Sequence, residues 1–384
     1  MASKHIRVDR KFEVSYDSPH PTYNELAVVF KGDGEPKTPA GMIGLLSDIA
    51  ASDELEMDSY SLGGSVEKLE KHFAEMLAKE AAIFMPTGTL ANHIALRTLC
   101  GHKPRAIVQH EGHQYNDTGD SAALLSGINL LPIAEGRPYF TLSELSKTVE
   151  RLESGRVATP LGAVMIESPV RRKYGQLMPY DEMAAVTKFC AERGIGTHLD
   201  AARLYMMTAA TGISPQAYTE LFDTVYVSLY KYFGSPYGAV LAGKSVLIDD
   251  LYHQRRMFGG SLASACLAAA LAIHGSLDFE ERFGAAMSKA IALFELLNKL
   301  NGINISAYEH GSNVFPMTLD SNVKINVFQN ALREKSVFVF SEEHNTEPLH
   351  LTVNTTILRV PNEDLVRIFA FALAKGKDGV TTLD

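Results

Sequence analysis

Apolar residues along the chain recur at two different spacings, which distinguish predicted helices from predicted strands. From Ser65 onward the apolar positions Val66, Leu69, Phe73 and Leu77 lie three or four residues apart, as on one face of a helix. The segment AAIFMP that follows is a short apolar run ending at a proline, which predicts a strand. A glycine turn and a second helix are predicted next, in PTGTLANHIALRTL.

Short apolar segments of strand character continue through the middle of the chain: AIVQH, INLLPI, AVMIES, GTHLD, TVYVSLY and AVLAG. From about residue 160 onward they alternate with helical stretches such as YDEMAAVTKFCAERG. Alternation of strands and helices is typical of a mostly parallel sheet with helices on both faces. We therefore predict an α/β fold for this part of the chain.

The pattern changes near both ends of the chain, and this predicts three regions. Residues 1–35 mix proline, glycine and charged residues without a period, which indicates an N-terminal arm. Residues 36–275 hold the predicted sheet and form a large domain. After the long helical stretch GGSLASACLAAALAIHG, residues 276–384 mix strands with helices, which predicts a small C-terminal α+β domain.

Composition limits the class of protein. With 384 residues, 46% of them apolar, the chain is long enough for one large core and a smaller second one. Its formal net charge of −9 argues against nucleic acid or anionic lipid as a partner. Three cysteines lie far apart in apolar surroundings, which is typical of reduced, buried thiols. The N-terminus has no apolar run of signal-peptide length and residues 262–273, the most apolar predicted helix, are too few to span a bilayer, so we expect a soluble cytoplasmic protein without a membrane partner.

The helix predicted after Pro86 begins with residues suited to a phosphate. Gly88 and Thr89 open it, so free backbone N–H groups, the positive end of the helix dipole and a hydroxyl converge at one point. In open α/β sheets, ligands bind at the carboxyl ends of the strands, and this helix follows such an end. The alternative is a threonine that caps the helix beside a turn glycine, with no ligand.

Asp200 and Arg203 follow the predicted strand GTHLD. The Asp200 carboxylate could pair with a buried ring nitrogen and keep it protonated, as the pyridine ring of pyridoxal phosphate (PLP) requires in order to withdraw electrons. Arg203 could bind a substrate carboxylate through two parallel hydrogen bonds. The alternatives are a helix-capping aspartate and a solvated surface arginine.

Lys231 stands at the end of the apolar strand TVYVSLY, before a turn that contains Gly234, Pro236 and Gly238. A lysine that is desolvated there loses its proton more readily and can attack an aldehyde. Ser228, three residues earlier, could add a hydroxyl to the phosphate site. A single lysine at a strand end usually faces solvent. Together with the other two segments, however, it predicts a PLP site with the cofactor held on this lysine as a Schiff base.

His113, in HEGHQYND, follows another predicted strand. Its imidazole could stack on a cofactor ring or act as a general base, and the alternative is a histidine with a purely structural hydrogen bond. His110 lies three residues before it, but two histidines without a third ligand are a weak metal pattern. We predict no catalytic metal.

Four segments, KEAAIFMPTGTLAN, HLDAARL, VSLYK with its following glycines, and RRMFGGSL, occur in this order. Their order and spacing resemble the threonine aldolase and β-eliminating lyase family of fold-type-I PLP-dependent enzymes, over about residues 28–275. The resemblance implies a transferase-like fold of fold type I. It also implies a role for each matching residue: Lys231 as the Schiff base, Asp200 at the pyridine nitrogen, His113 stacked on the ring, Gly88 and Thr89 at the phosphate, and Arg203 at the substrate carboxylate.

The resemblance further implies an assembly of several subunits. Members of the family are dimers or tetramers with sites at a subunit boundary, so we expect a homodimer or a homotetramer. In such an assembly Tyr60 and Arg256 would act at the cofactor of the neighbouring subunit.

Three departures from the family pattern concern the substrate. Residues 32–34 are Gly-Asp-Gly where the family has a Ser-Asp-Thr that helps to bind the carboxylate. The segment ESPVRRKYGQ, with Arg171 and Arg172, replaces a Glu-Asn-Thr run and a second active-site histidine. The C-terminal arginine of the family aligns with either His350 or Arg359. The residues thus predict the cofactor but leave the side chain of the substrate open.

Three functions fit these residues, each with a small amino acid as the ligand. The leading one is cleavage of a β-hydroxy-α-amino acid such as L-threonine to glycine and an aldehyde, with His113, directly or through a water, taking the β-hydroxyl proton. The second is β-elimination or another Cα–H reaction on a polar amino acid, with Arg171 or Arg172 binding an acidic side chain and Lys231 as the base. The third is a non-catalytic PLP-binding protein.

Overall fold

A seven-stranded sheet lies at the centre of the fold. The computed structural model describes residues 23–157, 159–340 and 348–378. The strands in these residues are, in chain order, β1 Val28–Val29, β2 Ala81–Met85, β3 Arg105–Gln109, β4 Asn129–Ile133, β5 Leu161–Glu167, β6 Gly196–Asp200, β7 Thr224–Ser228, β8 Ala239–Gly243, β9 Ile303–Ile305, β10 Val314–Leu319, β11 Val337–Phe338 and β12 Leu349–Thr352.

The α-helices between these strands range from 4 residues, in α4 and α10, to 19 residues in α13. In chain order they are α1 Pro39–Ala51, α2 Gly64–Met76, α3 Gly88–Cys100, α4 His113–Asn116, α5 Ser121–Ser126, α6 Leu142–Glu153, α7 Tyr180–Glu192, α8 Leu204–Thr211, α9 Pro215–Glu220, α10 Ser245–Ile248, α11 Leu251–Met257, α12 Cys266–Ser276, α13 Phe279–Leu297, α14 Ile325–Arg333 and α15 Asn362–Asp378. Short 3₁₀ helices cover Arg171–Lys173 and Thr355–Arg359.

The central sheet has the strand order β2-β8-β7-β6-β5-β3-β4. Its strands are parallel except β8, which pairs antiparallel with β2 on one side and with β7 on the other. The carboxyl ends of β2, β3, β5, β6 and β7 therefore lie along one edge of the sheet. The prediction of a mostly parallel sheet in an α/β fold is confirmed.

Helices cover both faces of this sheet. Successive side chains of a strand point to opposite faces, so neighbouring residues pack against different helices. Ile83 and Met85 of β2 pack with residues of α3 on one face, whereas Phe84 points to the other face, where α2 packs against β2. Strands β7 and β8 are buried along their whole length, as strands covered on both faces must be.

Beyond α13 the chain forms a smaller antiparallel sheet with the order β12-β10-β9, and α14 packs against α15. Strand β1 joins this part of the chain, because Val28 pairs with Val337 and Val29 with Phe338 of β11. Residues 1–22 of the predicted arm lie outside the described residues. The division into residues 1–35, 36–275 and 276–384 stays a prediction.

Cys100, Cys190 and Cys266 are buried and form no disulfide. Burial raises the pKa of the Cys100 thiol to about 11 and that of Cys190 to about 12, so both are poor nucleophiles near neutral pH.

Within the described ranges, none of the helices combines the length and the apolar character needed to cross a bilayer.

Candidate active site

A cavity of about 340 Å³ opens at the carboxyl ends of the parallel strands. It is lined by seven of the residues that the sequence predicts, on the loops that follow β2, β3, β5, β6 and β7: Gly88, Thr89, His113, Arg171, Asp200, Arg203 and Lys231. The remaining lining residues are Pro86, Thr87, Glu167, Ala202, Tyr226, Tyr230, Pro236, Tyr237 and Gly238. The fold thus brings together groups that are far apart in the sequence.

Lys231 lies in the turn between β7 and β8. Leu229 closes this turn by donating its backbone N–H to the carbonyl oxygen of Gly238 at 3.1 Å. Burial lowers the pKa of Lys231 to about 8, and the nearby Arg203 guanidinium acts in the same direction. Much of this amine is therefore neutral near pH 8, which makes it both a nucleophile and a proton acceptor.

Asp200 ends β6 and is buried. Its Oδ1 accepts the backbone N–H of Ala202 at 3.1 Å, and its Oδ2 accepts Nδ2 of Asn92 at 2.6 Å. The carboxylate thus caps the following turn, as the alternative interpretation proposed, and also lines the cavity. Both functions are compatible because each oxygen has further lone pairs.

A chain of buried hydrogen bonds supports Asp200 from behind. The Asn92 amide group donates to Asp200, so its Oδ1 accepts from Nε2 of His198 at 2.9 Å, and Nδ1 of His198 lies 2.8 Å from Oγ1 of Thr224. Burial lowers the pKa of His198 to about 4, so the imidazole is neutral. Its proton is therefore on Nε2, and the chain from Thr224 to Asp200 has one direction of donation.

Glu167 joins the loops that follow β3 and β5. Its Oε2 accepts the backbone N–H of His113 at 2.5 Å, and its Oε1 accepts that of Arg171 at 3.0 Å. The Gln109 side chain holds the Glu167 backbone, donating to its carbonyl oxygen at 2.9 Å. Burial raises the pKa of Glu167, and the charge of Asp200 adds to this effect. The Glu167 carboxyl group therefore fixes the backbone positions of two residues that line the cavity, His113 and Arg171.

His113 is the first residue of α4, and its imidazole lines the cavity. Its Nδ1 lies 3.1 Å from Oδ2 of Asp117, and the other oxygen of Asp117 accepts from Arg172. Burial alone would raise the pKa of Asp117, but the hydrogen bonds from Arg172 and His113 outweigh it and leave that pKa below its usual value. Arg172 therefore acts on His113 through Asp117 and does not line the cavity.

Arg203 and Asp33 form an ion pair at the cavity wall. Arg203 donates from Nε to Oδ2 of Asp33 at 2.8 Å, and both side chains are mostly buried. Burial alone would lower the pKa of Arg203, but the carboxylates of Asp33 and Glu167 raise it. A Cβ on Gly34 would lie 2.6 Å from the Cα of Tyr232. Glycine at this position therefore allows residues 32–34 to approach the Lys231 turn.

The start of α3 forms the opposite end of the cavity. Thr87 is the N-cap, and its hydroxyl accepts the N–H of Leu90 at 3.1 Å, which leaves the N–H groups of Gly88 and Thr89 for a ligand. A Cβ on Gly88 would lie 2.0 Å from the hydroxyl oxygen of Tyr226. Ser228 Oγ is buried beside the Tyr226 hydroxyl and is not among the residues that line the cavity. The free N–H groups of Gly88 and Thr89 suit a phosphate.

Like Arg172 and Ser228, the predicted residues Tyr60 and Arg256 do not line the cavity of this chain. Tyr60 is exposed, and the guanidinium of Arg256 lies 5.4 Å from the centroid of its ring. The two residues thus contact each other on the surface. Their predicted action on a neighbouring subunit stays a prediction.

His350 and Arg359, the two residues that could align with the C-terminal arginine of the family, lie in different places. Arg359 donates to the carbonyl oxygen of Ala27 at 3.0 Å and pairs with Glu35, away from the cavity lining. His350 lines an adjoining pocket of about 190 Å³ together with Arg171 and Arg203. Of the two aligned residues, His350 therefore faces the cleft.

Asn92, His198, Thr224 and the role of Glu167 were not predicted from the sequence. A signal was present for two of them. His198 lies two residues before Asp200 on a strand, so both side chains point to the same face. Glu167 ends an apolar strand, as Asp200 does, and the two residues are opposite each other in the β5–β6 register.

Comparisons with known proteins agree with this geometry. The sequence profile of the beta-eliminating lyase family matches residues 43–320. A low-specificity L-threonine aldolase of Eremothecium gossypii is 29% identical over 232 residues, which are 59% of this chain and 60% of the relative. One of Escherichia coli is 30% identical over 218 residues, which are 56% of this chain and 64% of the relative. The matches therefore span only about 60% of the length of these relatives.

Solved structures extend the similarity to most of the chain. The structure of a proposed L-allo-threonine aldolase of Listeria monocytogenes has a TM-score of 0.74 and 27% identity, and the match covers 89% of this chain and 95% of that one. A serine palmitoyltransferase of S. paucimobilis, solved with a PLP-myriocin aldimine, has a TM-score of 0.63 and 16% identity, covering 90% of this chain and 86% of that one. The second likeness concerns the fold alone.

The family profile includes every strand of the central sheet and the loops at their carboxyl ends that form the cavity. The chain therefore belongs to the threonine aldolase and β-eliminating lyase family and has the fold of the fold-type-I PLP-dependent enzymes.

Proposed function

We propose that the protein is a PLP-dependent lyase that cleaves β-hydroxy-α-amino acids of the L-threonine type to glycine and an aldehyde. The observation that carries this proposal is the buried Lys231 amine, with its pKa lowered to about 8, in one cavity with the Asp200 carboxylate and the start of α3. Membership of the family and the L-threonine aldolases among the relatives support it.

The residues of the cavity fit PLP group by group. The free N–H groups at the start of α3 would hold the phosphate, and Ser228 stays a predicted contributor to that site. Asp200 would bind the ring nitrogen, His113 would cover a ring face, and Lys231 would bind the aldehyde carbon. When bound, PLP supplies an aldehyde that condenses with amines and a ring that accepts the electron pair released at Cα.

His113 would take the proton of the β-hydroxyl group as the Cα–Cβ bond breaks. Because Asp117 accepts at Nδ1, that nitrogen carries the hydrogen and Nε2 is the basic nitrogen available to the cavity. Glu167 holds the backbone from which the imidazole projects. Lys231, which is neutral in large part near pH 8, would exchange the proton that glycine gains at Cα.

Arg203 would bind the α-carboxylate of the substrate. Its Nε is held by Asp33, so the two Nη groups remain for the planar, bidentate contact that guanidinium and carboxylate groups prefer. Asp33 is the residue of the family's Ser-Asp-Thr segment that this chain keeps, and it orients the arginine, whereas glycines replace the two hydroxyl residues.

We further propose a cytoplasmic homodimer or homotetramer. Exposed apolar side chains, among them Met57 and Leu267, lie where residues 57–60 meet the start of α12, since Tyr60 donates its backbone N–H to Ala263 at 3.2 Å. Such a surface suits a contact with a second copy, in which Tyr60 and Arg256 would reach the neighbour's cavity. The three buried thiols suit a reducing compartment.

A second candidate function is β-elimination, and one observation favours it. Among the described residues that line the cavity, His113 is the only histidine, so the aldol reaction would depend on a single imidazole. The Lys231 amine, in contrast, is suited to removing an α-proton. Ammonia and a keto acid would be the products of that reaction.

One assay decides between these functions. The purified, PLP-loaded protein is incubated with L- and D-β-hydroxy-α-amino acids, and glycine plus aldehyde is measured in parallel with ammonia plus keto acid. Equal amounts of glycine and aldehyde support the aldolase, and ammonia with keto acid supports the elimination. Turnover of none of these amino acids would overturn both in favour of a non-catalytic PLP-binding protein.

The cofactor assignment has its own test. Lys231→Ala should lose the visible absorbance that the wild-type protein shows with PLP, whereas Lys71→Ala, at an exposed position of α2, should retain it. An unchanged spectrum in Lys231→Ala would refute the assignment of this amine.

A further inference from the structure

Arg171 lies at a junction of the cleft. It is the first residue of the 3₁₀ helix after β5, and Glu167 holds its backbone N–H at 3.0 Å. Its side chain lines the 340 Å³ cavity and two adjoining pockets of about 190 and 380 Å³. A group that extends from the cavity into the rest of the cleft therefore passes this guanidinium.

Charge distinguishes Arg171 from its neighbours. Arg203 is paired with Asp33 and Arg172 with Asp117. Within the described parts of the chain, Arg171 takes part in no ion pair. Arg171 is exposed in the cleft and has no ion-pair partner, so its planar fork is available to a carboxylate of a ligand.

The other cations of the cavity already have a role. Lys231 is the proposed cofactor amine, and Arg203 would bind the α-carboxylate. Arg359, a candidate for the second carboxylate contact, is engaged by Glu35 and does not line the cavity. Arg171 therefore remains for a second acidic group on the substrate.

We infer that the substrates are β-hydroxy-α-amino acids with an acidic side chain, such as 3-hydroxyaspartate, and that Arg171 binds the side-chain carboxylate. This inference rests on the proposed function and specifies its substrate class. In the reaction the Cα–Cβ bond breaks, the β-hydroxyl group loses its proton as it becomes the aldehyde, and Cα gains a proton. The products of 3-hydroxyaspartate are glycine and glyoxylate, so no oxidant or other co-reactant is needed.

Binding of two non-cleavable amino acids tests the role of Arg171. L-aspartate and L-asparagine have nearly the same shape, differ in side-chain charge, and lack the β-hydroxyl group. Dissociation constants for the PLP-loaded protein are measured from the change in its visible absorbance. We expect aspartate to bind about tenfold more tightly than asparagine, as for a charge-assisted hydrogen bond. In Arg171→Gln this ratio should fall to about one.

A matched control and a rival explanation complete the binding test. Arg151→Gln, at an exposed position on α6, should keep the wild-type ratio. If Arg171 binds the α-carboxylate instead, Arg171→Gln weakens aspartate and asparagine equally and the ratio does not change, which would overturn the inference. Equal binding of the two ligands to the wild-type protein would overturn it as well.

Turnover separates the inference from the function on which it rests. We expect kcat/KM for glycine release to be at least about tenfold higher with 3-hydroxyaspartate than with threonine, and this preference should disappear in Arg171→Gln. Cleavage of threonine without a preference for the acidic substrate would overturn the inference and leave the proposed function intact. Glycine release from neither substrate would overturn the proposed function, while the aspartate-to-asparagine ratio would still decide what Arg171 binds.

Discussion

Asn92 donates a hydrogen bond from Nδ2 to Oδ2 of Asp200 at 2.6 Å, and both side chains are buried. This bond is the last in the chain that begins at Thr224 and passes through the neutral imidazole of His198. Since each member donates towards Asp200, the carboxylate is held as an acceptor in one orientation. A partner for a protonated ring nitrogen requires this state.

Replacement of Asn92 by alanine removes the donor and leaves Nε2–H of His198 without an acceptor. We expect the affinity of the apoprotein for PLP to fall about tenfold or more, because a hydrogen bond to a charged group contributes about 1.5 to 3 kcal/mol. Fluorescence titration with PLP measures this change. Asn330→Ala, at an exposed position of α14, is the control. Wild-type affinity in Asn92→Ala would mean that the chain does not support Asp200.

The lowered pKa of Lys231 sets the pH at which the apoprotein reacts with aldehydes. The neutral amine is the reactive form, and it becomes the major form as the pH rises through about 8. We expect the rate of PLP capture, followed by stopped-flow absorbance, to rise between about pH 7 and 9 and then level off. A rise centred near 10.5, the usual lysine value, would contradict the desolvation of this amine.

The same amine should destabilise the apoprotein. Lys231 binds its proton less tightly in the folded than in the unfolded chain, so the free energy of unfolding rises with pH between about 8 and 10.5. Lys231→Met removes this cost and should stabilise the apoprotein by about 3 kcal/mol at neutral pH, with a smaller gain at pH 9.5. Urea unfolding at both pH values measures the difference. A gain that is independent of pH would point to packing as its cause.

Glu167→Gln should destabilise the protein most strongly at low pH. The amide replaces one acceptor oxygen by a donor that faces the backbone N–H of His113 or Arg171, at a cost of about 1 to 3 kcal/mol. Wild-type Glu167 binds its proton more tightly in the folded state, so the wild type loses stability as the pH rises above 4.5, whereas the variant has no such loss. The difference in the free energy of unfolding should therefore shrink as the pH rises above 4.5. A constant difference would argue against a raised pKa.

Gly88→Ala should disturb the start of α3. Its Cβ would lie 2.0 Å from the Tyr226 hydroxyl oxygen and 2.3 Å from the ring carbon that bears it, so the helix or the strand must shift. We expect a loss of about 1 to 3 kcal/mol in the free energy of unfolding and weaker PLP binding. Gly284→Ala, in α13, meets nothing within 4 Å and should be neutral or stabilising. Equal stability of the two variants would show that the contact with Tyr226 relaxes freely.

Part of the candidate site could be predicted from the sequence because its residues follow the carboxyl ends of predicted strands. Gly88, Asp200 and Lys231 each follow an apolar run within a few residues, and parallel strands bring such ends to one edge of the sheet. The prediction that these residues lie together needs neither the order of the strands nor the distances between them. The mostly parallel sheet followed from the alternation of strands and helices in the same way.

Other relationships depend on register, which a single sequence does not specify. Asn92 reaches Asp200 only because one face of α3 packs on β6, and a different rotation of the helix would point it elsewhere. Arg171 and Arg172 are consecutive residues in a 3₁₀ helix, so no periodicity indicates which of them borders the cavity. The ion pair of Arg203 with Asp33 joins residues from distant parts of the chain, and no local sequence pattern predicts it.

The pairing of Val28 with Val337 has a consequence for biosynthesis. Strand β1 leaves the ribosome early, but its partner β11 is synthesised only after the whole central sheet. Asp33, a few residues beyond β1, contacts Arg203 from a segment that this late pairing anchors. A nascent chain can therefore form the Lys231 turn before Arg203 has its counterion, so this wall of the cavity, which includes a segment synthesised early, is completed last.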